Sequence, residues 1–218
     1  MHKQRYFSGL LSIAAAVLAA DSAAAEPTIS GTVVGTDGKG IAEAVVFVRD
    51  PLPAPVPQHT PQVVDQINKT FVPGLLPVVV GTLVRFPNHD QIHHHVYSFS
   101  PAKTFELPLY KGEDAQPVLF DKVGVVKIGC NIHDWMSGII LVLPTPYFAV
   151  TDRDGRFTLR DLPAGTHTLS AWHALSKIRP EEASRSVQTG AQLAQVSFTL
   201  PLSPARPRRA MHGARAEP

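Results

Sequence analysis

The chain reads as an all-β protein, and three observations say so. Its 218 residues include twenty prolines and fifteen glycines, set in short clusters that leave no room for long helices. Its apolar runs are short and rich in Val, Ile, Phe and Thr, the residues that fit a pleated, half-buried surface. Turn residues recur between those runs, as in GTDGKG at 35–40 and DRDG at 152–155.

In chain order, the first segment is an export signal. Lys3 and Arg5 give a positive start, residues 10–20 (LLSIAAAVLAA) are apolar but short for a membrane span, and Ala23, Ala24 and Ala25 offer a small-residue cleavage site. This predicts a signal peptide over 1–25, an exported protein and, in a bacterium, a periplasmic one. No later stretch reaches spanning length without Pro, Gly or charge, so no integral span is expected after cleavage.

Residues 28–34 and 44–48 read as strands. PLPAPVP at 51–57 cannot donate to a ladder and favours extended polyproline geometry, so 51–61 is expected to be a linker. Strands resume at 63–67, 71–73, 76–80 and 82–86. A loop holding His89, His93, His94 and His95 follows, then a strand at 96–99. Over 125–130, Val126, Ile128 and Cys130 share one parity and Lys127 the other, so the thiol should point inward at a strand end. Residues 139–143 (IILVL) read as a strand buried on both faces. Beyond Pro146, FAVT and FTL around the DRDG turn suggest a hairpin, followed by strands at 168–172 and 196–200. Arg206, Arg208, Arg209 and Arg215 make 203–218 a basic tail with a disordered composition.

A formal charge of +2 gives no field that would recruit nucleic acid. The chemistry concentrates around the single cysteine, which in an oxidising compartment has no intramolecular disulfide partner. Taken singly, a buried Cys, a packed Met and a solvated histidine run each have an ordinary structural explanation. CNIHDWM at 130–136 combines Cys130, His133 and Met136 on one tight loop, with histidines upstream. A thiolate, two imidazoles and a weak axial thioether are the donor set of a blue-copper electron-transfer site.

Other motifs lead nowhere comparable. Aligning Gly155 with the invariant glycine of a calcium loop puts Val150 where a carboxylate is needed, so DRDG is a turn. Trp172 and His173 read as a core tryptophan with a rim histidine, and no G-x-S-x-G context supports a nucleophile.

Residues 62–143 resemble the cupredoxin family. FVPGLLPVVVGTLVRFPNHDQIHHHV is similar to its first half, and CNIHDWM to its downstream ligand loop in the short, amicyanin-type form. The resemblance implies a Greek-key β-sandwich over 62–145 with one type 1 copper ion. Cys130 and His133 would be equatorial ligands and Met136 the axial one. The upstream ligand commonly lies six residues after an Asn; counting from Asn88 gives His94, with His95 the runner-up. It further implies a one-electron carrier rather than an enzyme, serving a redox partner protein such as a cytochrome or a dehydrogenase, with His133 and Trp135 at the exit. Asn131 stands where the family often has Thr or Ser, and Asp134 with Trp135 replaces a Pro-containing pair, which leaves colour and potential open.

The end segments, ISGTVVGTDGKGIAEAVVFV and TDRDGRFTLRDLPAGTHTLSAW, resemble the carboxypeptidase-regulatory-like, transthyretin-type β-sandwich. We therefore expect residues 26–50 plus 146–202 to form one discontinuous sandwich with the copper module inserted, since neither end piece alone could bury a core. The combination is similar to a bacterial group labelled methylamine utilization protein. Two other readings stay open: a non-redox copper store or sensor, and a surface binding sandwich with a vestigial copper loop.

Overall fold

The structure, a computed structural model, describes residues 28–50, 61–112, 115–190 and 194–204. The expected signal peptide, nearly all of the Pro-rich linker and most of the basic tail lie outside these. The described residues contain no helix. The strands are β1 (Ile29–Gly35), β2 (Val45–Val48), β3 (Gln62–Val63), β4 (Asp65–Ile67), β5 (Thr70–Val72), β6 (Leu75–Val79), β7 (Thr82–Arg85), β8 (His94–Ser100) and β9 (Lys103–Tyr110). They continue as β10 (Val118–Phe120), β11 (Gly124–Gly129), β12 (Ser137–Leu143), β13 (Phe148–Val150), β14 (Arg156–Leu159), β15 (Gly165–Trp172), β16 (Ser184–Thr189) and β17 (Ala194–Leu200).

Strands from the middle of the chain make a sheet of order β6-β12-β11-β8-β9, a second of order β10-β7-β3, and the small β4-β5 ribbon. Alternation along these strands aims Val84, Phe86, Phe120, Val96, Val126, Ile128 and Val142 into one apolar core, which also holds Cys130 and Met136. Strands from the two ends make sheets of order β14-β1-β17 and β13-β2-β15-β16. Their core is separate and includes Ile29, Val33, Val46, Phe157, Leu169 and Phe198. Each fully buried side chain of this size contributes roughly 1.5–3 kcal/mol.

The end segments are held together by backbone contact. β1 pairs with β14 antiparallel and with β17 parallel. Gly40 and Gly155 sit where the two turn regions cross: a Cβ on Gly40 would stand 2.1 Å from the Asp154 carbonyl oxygen, and Gly155 has φ +76°. Only glycine permits that approach. Thr151 adds a buried hydroxyl bridge, accepting from the Ala44 amide at 2.9 Å and donating to the Ile41 carbonyl at 2.6 Å.

A third apolar cluster joins the two sets of sheets. Val45, Phe47 and Trp172, on the outer face of β2 and β15, pack with Leu141 and Leu143 of β12. This explains the two strands that lack alternation. VVFV and IILVL are apolar throughout because each lies between two cores.

Three expectations need correction. The DRDG turn does not close a hairpin: β13 pairs with β2 and β14 with β1, so the chain changes sheets there. Val63 to Ile67 is not one strand, since β3 joins β7 while β4 joins β5. His94 and His95 belong to β8 rather than to a loop. Strands β9, β10 and β16 add to those the sequence predicts. Pro108 and polar residues obscure β9, and its register slips against β8 between His94 and Val96, as at a bulge.

Candidate metal centre

The parity of β11 places the sulfur. Val126 and Ile128 are buried, Lys127 is exposed, and Cys130, just beyond the strand, is 3% exposed. The chain then turns back: the Met136 amide donates to the His133 carbonyl at 2.8 Å, and the Cys130 amide to the Met136 carbonyl at 3.2 Å. This short closed loop returns His133 to the cysteine. Met136, 2% exposed, is anchored in the same core cluster as Cys130.

His94 comes from the first position of β8 and is fully buried. Asn88 shapes the loop before it. Its Nδ2 donates to the carbonyls of Ile92 at 2.9 Å and Tyr110 at 3.0 Å, and its Oδ1 accepts from the Asp90 amide at 3.0 Å. Asp90 is thereby aimed at His94, whose Nε2 donates to Oδ2 at 2.7 Å. The Asn68 and Lys69 amides donate to the same carboxylate at 2.6 and 2.7 Å. Burial pushes the Asp90 carboxyl up, but the Lys69 amide, the His94 ring and the Asn68 amide outweigh it and hold it below the usual carboxylate value.

The donor atoms of His94, Cys130 and His133 all lie within 4.8 Å of one another, a group that could hold a metal ion. Nδ1 of His94 is 4.0 Å from Sγ and Nδ1 of His133 is 3.7 Å from it, with the rings 4.9 Å apart. An ionised carboxylate only accepts, so Nε2 of His94 carries the proton and Nδ1 turns a lone pair toward the sulfur. Burial first, then His94 and Lys69, hold the pKa of His133 below the usual histidine value. Its outer side meets Trp135, half exposed, with ring centroids 5.3 Å apart.

The other three histidines of the 89–95 segment lie outside this group. His95 is buried and donates from Nε2 to Glu106 at 2.8 Å, its ring against Tyr97. His89 turns Nδ1 to the Asp65 carboxylate at 2.8 Å. His93 is exposed.

Sequence reasoning missed Asn88 as a builder, Asp90 as the partner of His94, and a buried polar knot behind the site. In that knot Gln66 Nε2 contacts the Phe86 and Pro87 carbonyls and the Tyr110 hydroxyl, which donates to the Phe86 carbonyl. Burial drives the Tyr110 phenol far above its usual value, so it stays a neutral donor. Asp90, four residues before His94, was the one legible hint.

No family model matches the chain, and no curated protein is significantly similar to it. Solved structures do resemble part of it. A copper-containing nitrite reductase from Thermus scotoductus is 26% identical over 44% of this chain, with a TM-score of 0.38. The chain spans only 26% of that enzyme. A purple cupredoxin from Nitrosopumilus maritimus is 26% identical over 38% of this chain and 99% of its own, at a TM-score of 0.34. An amicyanin variant is 23% identical over 44% of this chain and 97% of its own, at 0.36. At such TM-scores the likeness carries no weight about chemistry, whereas the donor set does.

Proposed function

We propose that Cys130, His94 and His133 would hold one copper ion, with the Met136 thioether as a fourth donor, and that the protein carries single electrons between redox partners in the periplasm. The observation that carries this reading is the meeting of one thiol and two imidazole nitrogens within 4.8 Å, with His94 and Cys130 buried and His133 partly so. Thiolate and imidazole suit copper, and bound copper would supply a one-electron couple. The chain's own residues keep reorganisation small. Asp90 fixes the tautomer of His94, the closed loop fixes His133, and the packed core fixes Cys130. Four protein donors would leave no open position for substrate, which favours a carrier over an enzyme. His133 beside exposed Trp135 and Ile132 offers an apolar contact for a partner such as a cytochrome or a dehydrogenase. The end segments, with their own core, would form the discontinuous sandwich that bears this module, in an exported chain.

Copper-loaded protein should show an intense visible band from thiolate charge transfer. The band should vanish in Cys130→Ser and in His94→Ala and persist in His95→Ala. A colourless copper adduct, or a band that survives Cys130→Ser, refutes the carrier reading. A coloured protein without a reversible potential would instead be a copper store or sensor.

A further inference from the structure

On the outer face of β8, His95, Tyr97 and Phe99 form one aromatic stripe, with successive ring centroids 5.5 and 5.1 Å apart. Phe99 is 81% exposed, an apolar ring left standing in water. The second set of sheets covers this face of the β6-β12-β11-β8-β9 sheet at Val125, Ile139 and Leu141, yet Lys127, two residues after Val125, is exposed. What remains uncovered is a groove of about 600 Å³ that runs from Phe99 and Lys127 past Tyr97 and Gly129 to Cys130.

Gly129 keeps this groove in contact with the centre. A Cβ there would stand 3.2 Å from the Tyr97 ring and hydroxyl, so the ring rests against the residue that precedes Cys130. Tyr97 and Gly129 are also register partners. A molecule seated on Tyr97 is thus linked to the sulfur through one packed contact and the backbone of Gly129 and Cys130.

The charges select the occupant. Lys103 is in register with Ser100, the Lys127 amide donates to the Ser100 hydroxyl at 2.8 Å, and Lys122 Nζ lies 3.4 Å from the Pro101 carbonyl. Among the described residues only Lys103 of these three has an ion-pair partner, Asp121 at 3.1 Å. Glu106, opposite Tyr97, is engaged by His95, and Asp134 sits at the far end beside Cys130. The Phe99 end is therefore positive. The chain's own C-terminal segment, with Arg206, Arg208, Arg209 and Arg215, has the same sign, and a second copy would set lysines against lysines.

We propose that the Phe99 end of this groove, whose lining includes neither His133 nor Trp135, is a docking face for an acidic electron-transfer protein. The inference rests on the copper-carrier reading. One electron leaves the docked partner, oxidising it by one, and reduces the copper centre by one, with no bond made and no proton moved.

The test has two arms. Hexacyanochromate(III), an inert paramagnetic anion, is titrated into isotope-labelled metal-free protein. The amide signals of Phe99, Ser100 and Lys127 should broaden selectively. That broadening should vanish in Lys122→Ala/Lys127→Ala and at about 1 M salt, where the Debye length is about 3 Å. Uniform broadening, or broadening that survives either change, overturns the docking face. In the second arm hexacyanoferrate(II) donates one electron to the oxidised copper form. The double lysine variant should slow this about tenfold at low salt, within the range of electrostatic steering. Tyr97→Leu should slow it at saturating donor while the visible band and potential stay put. A wild type without the visible band refutes the carrier reading, with the first arm still deciding the face. A coloured wild type whose variants transfer electrons at unchanged rate refutes this inference alone.

Discussion

Oδ2 of Asp90 accepts a hydrogen bond from Nε2 of His94 at 2.7 Å. With the proton fixed on that nitrogen, Nδ1 of a fully buried ring faces the Cys130 sulfur. The carboxylate is itself held by two backbone amides, so the orientation of His94 is set two steps away from the centre.

Asp90→Asn should therefore lower copper affinity by about 10–100-fold, the usual cost of losing such an outer partner. Competition with a chelator of known affinity measures it. Affinity equal to wild type would show that His94 needs no carboxylate to orient it.

Trp172 is buried between the two sets of sheets with Leu141 and Leu143. Trp172→Ala should cost about 3–5 kcal/mol, the range for truncating a buried aromatic. Urea denaturation followed by far-UV circular dichroism reads it. A loss under about 1 kcal/mol would mean that the contact closes over the cavity or contributes little.

Gly40 faces the Asp154 carbonyl with no space for a side chain. Gly40→Ala should destabilise by about 1–3 kcal/mol or more through forced overpacking. Gly38→Ala is the useful comparison: it tests a positive φ of 79° in open space, where the strain is local. A Gly40→Ala variant as stable as wild type would show that the crossing of the two turns can relax.

Burial holds His173 below the usual histidine pKa, against a weaker upward pull from Glu43. A lowered folded-state value means that the unfolded chain binds the proton more readily. Stability should thus be full above the unfolded value, about 6.5, and fall as the pH drops below it. Denaturation midpoints of wild type and His173→Gln at pH 7.5 and 5.5 test this. The variant should lose less on acidification; an equal loss assigns the acid sensitivity to other groups.

Much of the centre was legible because its chemistry is local in sequence. CNIHDWM keeps three of the four candidate donors within seven residues, and strand parity alone turned Cys130 inward. The upstream histidine was less so. Four histidines lie between 89 and 95, and what separates them is the partner each finds: Asp65 for His89, Asp90 for His94, Glu106 for His95. Those carboxylates come from three different places in the chain. Strand β9 is hard to read because Pro108 and polar residues break its pattern, and DRDG closes no hairpin because a turn sequence does not say which sheet receives the next strand.

Residue chemistry and a period of two suffice for the all-β class, the inward thiol and the donor types. The tertiary structure decided which histidine meets the sulfur, how Gly40 and Gly155 come to cross, and why VVFV and IILVL are apolar on both faces. Each of those depends on segments far apart in the chain being brought within van der Waals reach, and local pattern carries no record of such distances.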